Sequence, residues 1–185
     1  MTGRRVFLRE LPVFGSRSRL SWGVGRPHRY DESLGVEALW APVVDAWLAS
    51  RYEVHVAELE DELRGIDRFL TRPADVTVTS LDAKHDRLAH RTGNVFLETV
   101  SNDQSGRPGW ALTSEADWIL YHVVAERRVL LFLTSELRDV AGWSRWRERS
   151  VRNEGYRTVG QLVPVAVASH VARYDVTLAD PCPRL

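Results

Sequence analysis

The segment DVTVTSLDAK, residues 75–84, constrains the fold of this chain more than any other feature. Its side chains alternate with a period of two, which is typical of a β-strand and does not fit the 3.6-residue period of a helix. RGIDRFL at 64–70 precedes it, and NVFLETV at 94–100 follows after a turn at Gly93. We therefore expect three strands, the first two joined as a hairpin through the TRPAD turn.

The other periodic segments predict helices around this sheet. EALWAPVVDAWLASR, residues 37–51, has helical spacing, although Pro42 leaves the start of the helix open. SEAD at 114–117 resembles a capping box and predicts a helix through WILYHVV. RRVLLFL predicts a buried strand, TSELRDVAGWSRWRERSVR a further helix, and QLVPVAVASHV a late edge strand. The expected fold class is α/β, a small mixed sheet flanked by helices.

Length and composition narrow the class of protein. We expect a basic arm at 1–32, one domain at 33–178 and a tail at 179–185 within the 185 residues. Apolar runs such as VLLFL are too short to cross a bilayer, and MTGRRVFLRE lacks the features of a signal peptide. We expect no membrane association and a cytoplasmic location. The single cysteine, Cys182, excludes an internal disulfide and a Cys-rich zinc site.

The formal net charge is zero, but basic residues are concentrated in two places. Residues 1–30 carry seven arginines against one glutamate, and WSRWRERSVR at 143–152 interleaves tryptophan with arginine. Both stretches could contact nucleic acid, or they could be a solvated arm and an amphipathic helix. The three-residue spacing of Trp143 and Trp146 favours the helix. The candidate nucleic-acid contacts are Arg4, Arg5, Arg9, Arg17, Arg19, Arg145, Arg147 and Arg149.

Lys84 is the only lysine of the chain, beside 24 arginines. Alternation places it on the same strand face as Asp82, and the predicted hairpin brings Asp67 close to both. Two carboxylates can hold a hard divalent cation, which lowers the pKa of bound water. An ammonium group can orient that water or neutralise a developing oxyanion, and it shifts its pKa more readily than a guanidinium.

GIDR, DAK and the following NVFLETVS together resemble the PD-(D/E)XK nuclease superfamily, including its small phage and bacterial members. The resemblance covers roughly residues 50–140. It implies a restriction-endonuclease-like core, with Asp67, Asp82 and the Ala83 carbonyl holding Mg²⁺ or Mn²⁺. Lys84 would then activate the water that cleaves a DNA phosphodiester.

Further acids are candidates for the outer part of this site. Many members of the superfamily carry a helical glutamate before the first strand. Glu37 on the first helix is one candidate and the nearer Glu58, Glu60 and Glu62 are others; the sequence does not choose between them. Glu98 on the following strand is a further candidate. Asp75 completes a second P-x-D sequence, but we interpret it as a turn residue.

The sequence leaves two functions open. The first is a Mg²⁺-dependent deoxyribonuclease, with RNA left open as the substrate. The second is a catalytically inactive fold of the same type that binds nucleic acid or protein, such as a phage inhibitor or a complex subunit. The acidic charge outside the arm favours this second function, because DNA enzymes usually present a broad basic surface. A homodimer or another protein partner also stays open.

Overall fold

The computed structural model describes residues 30–72, 77–141 and 146–185. Within these ranges the chain forms six helices and ten strands. The helices are α1 Tyr30–Leu48, α2 Leu59–Glu62, α3 Ala89–Thr92, α4 Trp110–Thr113, α5 Thr134–Ala141 and α6 Val165–Val171. The strands are β1 Glu53–Val56, β2 Arg68–Thr71, β3 Val78–Asp86, β4 Asn94–Asn102, β5 Arg107–Pro108, β6 Trp118–Val123, β7 Arg128–Leu133, β8 Arg147–Arg152, β9 Arg157–Pro164 and β10 Tyr174–Thr177.

The larger sheet has six strands in the order β1-β2-β3-β6-β7-β10. The first three form an antiparallel meander, and β6 then runs parallel to β3. The central strands β6 and β7 read WILYHV and RVLLFL and are buried almost throughout. Such continuous apolar runs are expected where both faces of a strand are covered.

Each face of the larger sheet has its own apolar core. Helix α1 and the C-terminal residues cover one face, where Leu48 and Leu178 pack with Leu81, Leu120 and Leu131. A second sheet, α5 and α6 cover the other. That small sheet has the order β5-β4-β9-β8, and β4 contains a bulge between Glu98 and Val100.

The mixed α/β class and the central hairpin agree with the sequence expectations. Strands β2 and β3 pair antiparallel, as the TRPAD turn predicted, and β3, β4 and β7 lie where their patterns placed them. The prediction of a single small sheet was wrong, because the described residues form one sheet of six strands and one of four.

The predicted helix through WILYHVV is wrong, because this segment is strand β6. Ser114 and Asp117 do not form a capping box. The Ser114 hydroxyl donates to the Gly65 carbonyl at 2.9 Å, and Asp117 accepts from both the backbone and the hydroxyl of Ser80. These bonds tie the start of β6 to β2 and β3, so the polar residues serve strand pairing instead of a helix end.

The predicted helix over 134–152 is also wrong in its second half. Helix α5 ends at Ala141, and Arg147–Arg152 form strand β8. Strand β9 is not an edge strand, since it lies between β4 and β8, and the sequence after Pro164 is helix α6. For Arg147–Arg152, pairing with β9 within the small sheet outweighs the local helical pattern.

Two features at the chain ends differ from the expected boundaries. Helix α1 begins at Tyr30 and continues through Pro42, so Pro42 lies well inside it. Residues 179–185 pack on the core, where Cys182 is buried and the Tyr52 hydroxyl donates to the Pro183 carbonyl at 3.1 Å. None of the described helices combines the length and apolar character needed to cross a bilayer.

Candidate functional site

The hairpin places Asp67 opposite Asp82. Arg68 pairs with Leu81, so Asp67 lies one position before the paired part of β2 and faces the next residue of β3. Its backbone N–H donates to the Leu81 carbonyl at 2.9 Å, and its Oδ2 accepts from the Ala83 N–H at 2.7 Å. These bonds fix the Asp67 carboxylate against β3 and hold the two acids side by side.

Asp82 is a fully buried carboxylate with few partners. Its side chain is 0% exposed, and its Oδ1 forms an ion pair with the Lys84 ammonium at 2.5 Å. Apart from this pair, neither oxygen accepts a hydrogen bond from the described residues. Burial raises the pKa of Asp82 to about 6, opposed by Lys84 and reinforced by Asp67. A buried acid left this incompletely bonded is costly, which makes the position a candidate functional site.

Lys84 remains an ammonium group in this setting. Burial pulls its pKa down, but the charges of Asp82 and Asp67, with a contribution from Glu37, raise the pKa above its ordinary value. Its Nζ lies 5.7 Å from the centre of the Trp110 ring, a cation–π arrangement that the sequence did not indicate. The side chain is therefore positively charged at neutral pH.

Glu98 lies next to this cluster at the bulge of β4. Burial raises its pKa, while Lys84, the Trp110 backbone and Ser101 lower it. Gly109 approaches so closely that a Cβ there would lie 2.4 Å from the Glu98 carbonyl oxygen. The chain therefore requires glycine at this contact, which sets the loop before α4 against Glu98.

Glu37 and Glu62 differ in their relation to the site. Glu37 on α1 is exposed but close enough for its charge to raise the pKa of both Lys84 and Arg68. Glu62 is exposed on α2 and is not among the main groups that shift the pKa of Lys84. Of the two, only Glu37 is among the main charges that raise the pKa of Lys84.

A histidine pair on the other side of β3 was not anticipated. His85 and His122 are register partners on the parallel strands β3 and β6, and their Nδ1 atoms lie 3.1 Å apart. Trp40 of α1 meets the His122 ring edge-on, at 5.1 Å between ring centres. The sequence did not indicate this pair, because the segment around His122 was predicted to be a helix and is strand β6.

The candidate nucleic-acid contacts are only partly placed. Arg147 and Arg149 are exposed on strand β8, not on a helix. Arg4, Arg5, Arg9, Arg17, Arg19 and Arg145 lie outside the described residues, as does the alternative acid Asp75.

The cluster offers few ligands for a metal. Across the described ranges, no three His, Cys, Asp or Glu side chains converge as a ready-made site. Asp67, just before β2, and Asp82 and the Ala83 carbonyl on β3 are the oxygen ligands available at this cluster. The buried Asp82 Oδ2, which accepts no hydrogen bond from the described residues, fits a hard cation.

No protein-family model, curated protein or solved structure matches this chain.

Proposed function

We propose that this chain is a metal-dependent nuclease that hydrolyses phosphodiester bonds of DNA. One observation carries the proposal. A fully buried carboxylate, Asp82, lies between a second carboxylate, Asp67, and the chain's only lysine. Apart from the Lys84 ion pair at its Oδ1, neither Asp82 oxygen accepts a hydrogen bond from the described residues. An aspartate on one strand and D-x-K on the neighbouring strand is also the arrangement of the PD-(D/E)XK superfamily that the sequence resembles.

In this proposal Asp67, Asp82 and the Ala83 carbonyl hold Mg²⁺ or Mn²⁺, and water and phosphate oxygens complete the coordination. When bound, such an ion lowers the pKa of a coordinated water and stabilises charge on the phosphoryl group. The Ala83 N–H donates to the Asp67 carboxylate. This one hydrogen bond therefore aligns Asp67 with Ala83, whose carbonyl is another proposed metal ligand.

Lys84 supplies a positive charge at a fixed place. Because its pKa is raised, it keeps its proton at neutral pH and does not act as a general base. Its ammonium orients the attacking water and offsets the negative charge that develops on the phosphoryl oxygens. The Trp110 ring beside it limits where the ammonium can move.

The test is cleavage of single- and double-stranded DNA and of RNA with Mg²⁺, with Mn²⁺ and with EDTA. The wild type is compared with Asp67→Asn, Asp82→Asn, Lys84→Ala and Lys84→Arg. Asp139→Asn is the control, because it removes an exposed carboxylate from α5. We expect the four site variants to lose about a hundredfold or more in rate and the control to match the wild type. Equal rates in all proteins, or cleavage that survives EDTA, would refute the proposal.

A catalytically inactive binding module is the second candidate. It is favoured by the small number of carboxylates on β2 and β3 and by the ion pair of Lys84 with Asp82. This candidate predicts that the chain binds nucleic acid or protein but neither cleaves DNA nor takes up Mn²⁺. Calorimetric titration of Mn²⁺ into the wild type and Asp82→Asn separates the two candidates. Wild-type uptake that is lost in the variant supports the nuclease, and no uptake in either protein supports the module.

A further inference from the structure

The side of the small sheet that carries Glu98 and Arg149 presents an unusual row of residues. Glu98 of β4 pairs with Gly160 of β9, which pairs with Arg149 of β8. In the neighbouring row, Phe96, Leu162 and Arg147 are paired in the same way. Directly paired residues point to the same side of a sheet, so these six share one side, which we call the outer face.

The outer face is separate from the apolar cores. Val95, Leu97 and Val163 occupy the alternate positions of β4 and β9. They therefore point to the opposite side, where they pack in the core under the small sheet. Phe96 and Leu162 are half-buried and do not pack against any of the buried clusters. The outer face therefore carries an aromatic and an aliphatic side chain that the cores do not use.

Gly160 lets the Phe96 ring lie across the middle of this face. A Cβ on Gly160 would come within 2.6 Å of the ring, so any side chain there would displace it. Arg147 and Arg149 border the same patch and are exposed. The result is an aromatic ring held against the sheet, with one exposed arginine in its own row and one in the neighbouring row.

The outer face is continuous with the candidate catalytic cluster. Glu98, at the end of the row that contains Gly160 and Arg149, lies against Gly109. The next residue, Trp110, has its ring centre 5.7 Å from Lys84 Nζ. Neighbouring strands lie about 4.8 Å apart. The backbone of Arg149 therefore lies about 10 Å from that of Glu98, two strands away along one row.

We propose that the outer face binds a single-stranded nucleic acid and leads it to Asp67, Asp82 and Lys84. The proposal rests on the proposed nuclease function. Arg147 and Arg149 contact phosphates, and an unpaired base stacks on Phe96. A sheet face with an aromatic ring and neighbouring cations suits unpaired bases, whereas a duplex hides its base faces within the stack. Arginines on an otherwise acidic body supply the charge complementarity.

The experiment measures binding by fluorescence anisotropy, with labelled single-stranded and duplex DNA of one sequence, in EDTA so that no cleavage occurs. The key comparison is Arg149→Ala against Arg152→Ala. Both remove one exposed arginine from β8, but Arg152 pairs with Arg157 and points to the other side. We expect Arg149→Ala to reduce the slope of log K against log salt by about 0.7, the value for one phosphate contact on a single strand. Arg152→Ala keeps the wild-type slope.

Phe96→Leu keeps an apolar side chain and removes the stacking surface. We expect it to weaken single-strand binding about tenfold, without changing the salt slope. Thermal melting of each variant shows whether it is folded. If Phe96→Leu does not fold, the comparison of Arg149→Ala with Arg152→Ala alone tests the proposal. Equal affinity for duplex and single strand, or equal losses in Arg149→Ala and Arg152→Ala, would overturn the proposal.

The binding result is independent of the cleavage result. If the predicted binding differences appear but the wild type does not cleave DNA with any metal, single-strand binding by the outer face is supported and the nuclease function is refuted. If the wild type cleaves DNA but its binding is insensitive to Arg149 and Phe96, the outer face is refuted and the nuclease function stands.

Discussion

Replacing His122 by asparagine should remove a large part of the acid sensitivity of this fold. His122 is 0% exposed on β6, and its Nδ1 meets that of His85. Its Nε2 has no hydrogen-bond partner among the described residues, and Trp40 covers the ring. Burial, together with the charges of His85 and Arg127, lowers the pKa of His122 to about 4. A second proton on this imidazole therefore destabilises the folded state.

The size of the effect follows from the pKa difference. The imidazole has a pKa of 6.5 when unperturbed and about 4 in the fold. Between these values the unfolded chain binds more protons, so stability falls as the pH drops from 6.5 to 4. One pKa unit corresponds to about 1.36 kcal/mol. The free energy of unfolding should therefore fall by about 2 kcal/mol at pH 5 and about 3 kcal/mol at pH 4 through His122 alone.

Two neighbouring groups also titrate in this range. Burial lowers the pKa of His85 to about 4, so His85 adds to the loss of stability in acid. Burial raises the pKa of Asp82 to about 6, so this acid opposes the loss, because its neutral form is favoured in the fold. Both groups remain in His122→Asn, so the difference between wild type and variant isolates His122.

The assay is urea unfolding followed by tryptophan fluorescence, at pH 7.5 and pH 5.0, with EDTA present. The drop in unfolding free energy between the two pH values should be about 2 kcal/mol smaller in His122→Asn than in the wild type. His55→Asn is the matched control, because His55 is exposed on the edge strand β1. An identical pH dependence in wild type and His122→Asn would show that the buried imidazole does not carry the effect.

Three further predictions concern packing. Gly160→Ala should destabilise the fold by about 1–3 kcal/mol in urea unfolding, because its Cβ would lie 2.6 Å from the Phe96 ring; an unchanged midpoint would contradict this contact. Tyr121→Phe should cost about 1–3 kcal/mol in the same assay, since the buried hydroxyl donates to Asp86 and accepts from the Phe96 N–H; a neutral change would mean that these bonds contribute nothing. Cys182 is buried with its pKa raised to about 11, so a thiol reagent at pH 8 should modify it only as fast as the chain unfolds; rapid modification of the folded chain would contradict its burial.

The parts of the fold that depend on local pattern were predictable from the sequence. Alternation identified β3, and the TRPAD turn identified its pairing with β2, so the neighbourhood of Asp67 and Asp82 followed from short-range information. Lys84 followed from the same alternation, as its ion pair with Asp82 shows. Residues two apart on one strand share a face whatever the rest of the chain does.

The parts that depend on long-range pairing were not predictable in the same way. A run such as WILYHVV is apolar throughout, and periodicity alone does not separate a buried strand from a buried helix. Its identity as β6 comes from pairing with β3, more than 30 residues earlier. The placing of Glu98 depends on a bulge and on a loop that packs against it at Gly109, neither of which leaves a clear sequence signal.

The lysine at position 84 now has a structural explanation that composition alone could not give. Lys84 contacts one oxygen of Asp82 through a single ammonium group. An arginine there would offer two parallel N–H donors, and a guanidinium commonly binds both oxygens of a carboxylate. It would satisfy the buried Asp82 completely and leave no oxygen for a ligand. Lysine neutralises the acid and leaves one Asp82 oxygen without a hydrogen bond from the described residues. The proposed nuclease function therefore predicts that Lys84→Arg preserves or raises the free energy of unfolding in urea and abolishes Mn²⁺ uptake in calorimetric titration.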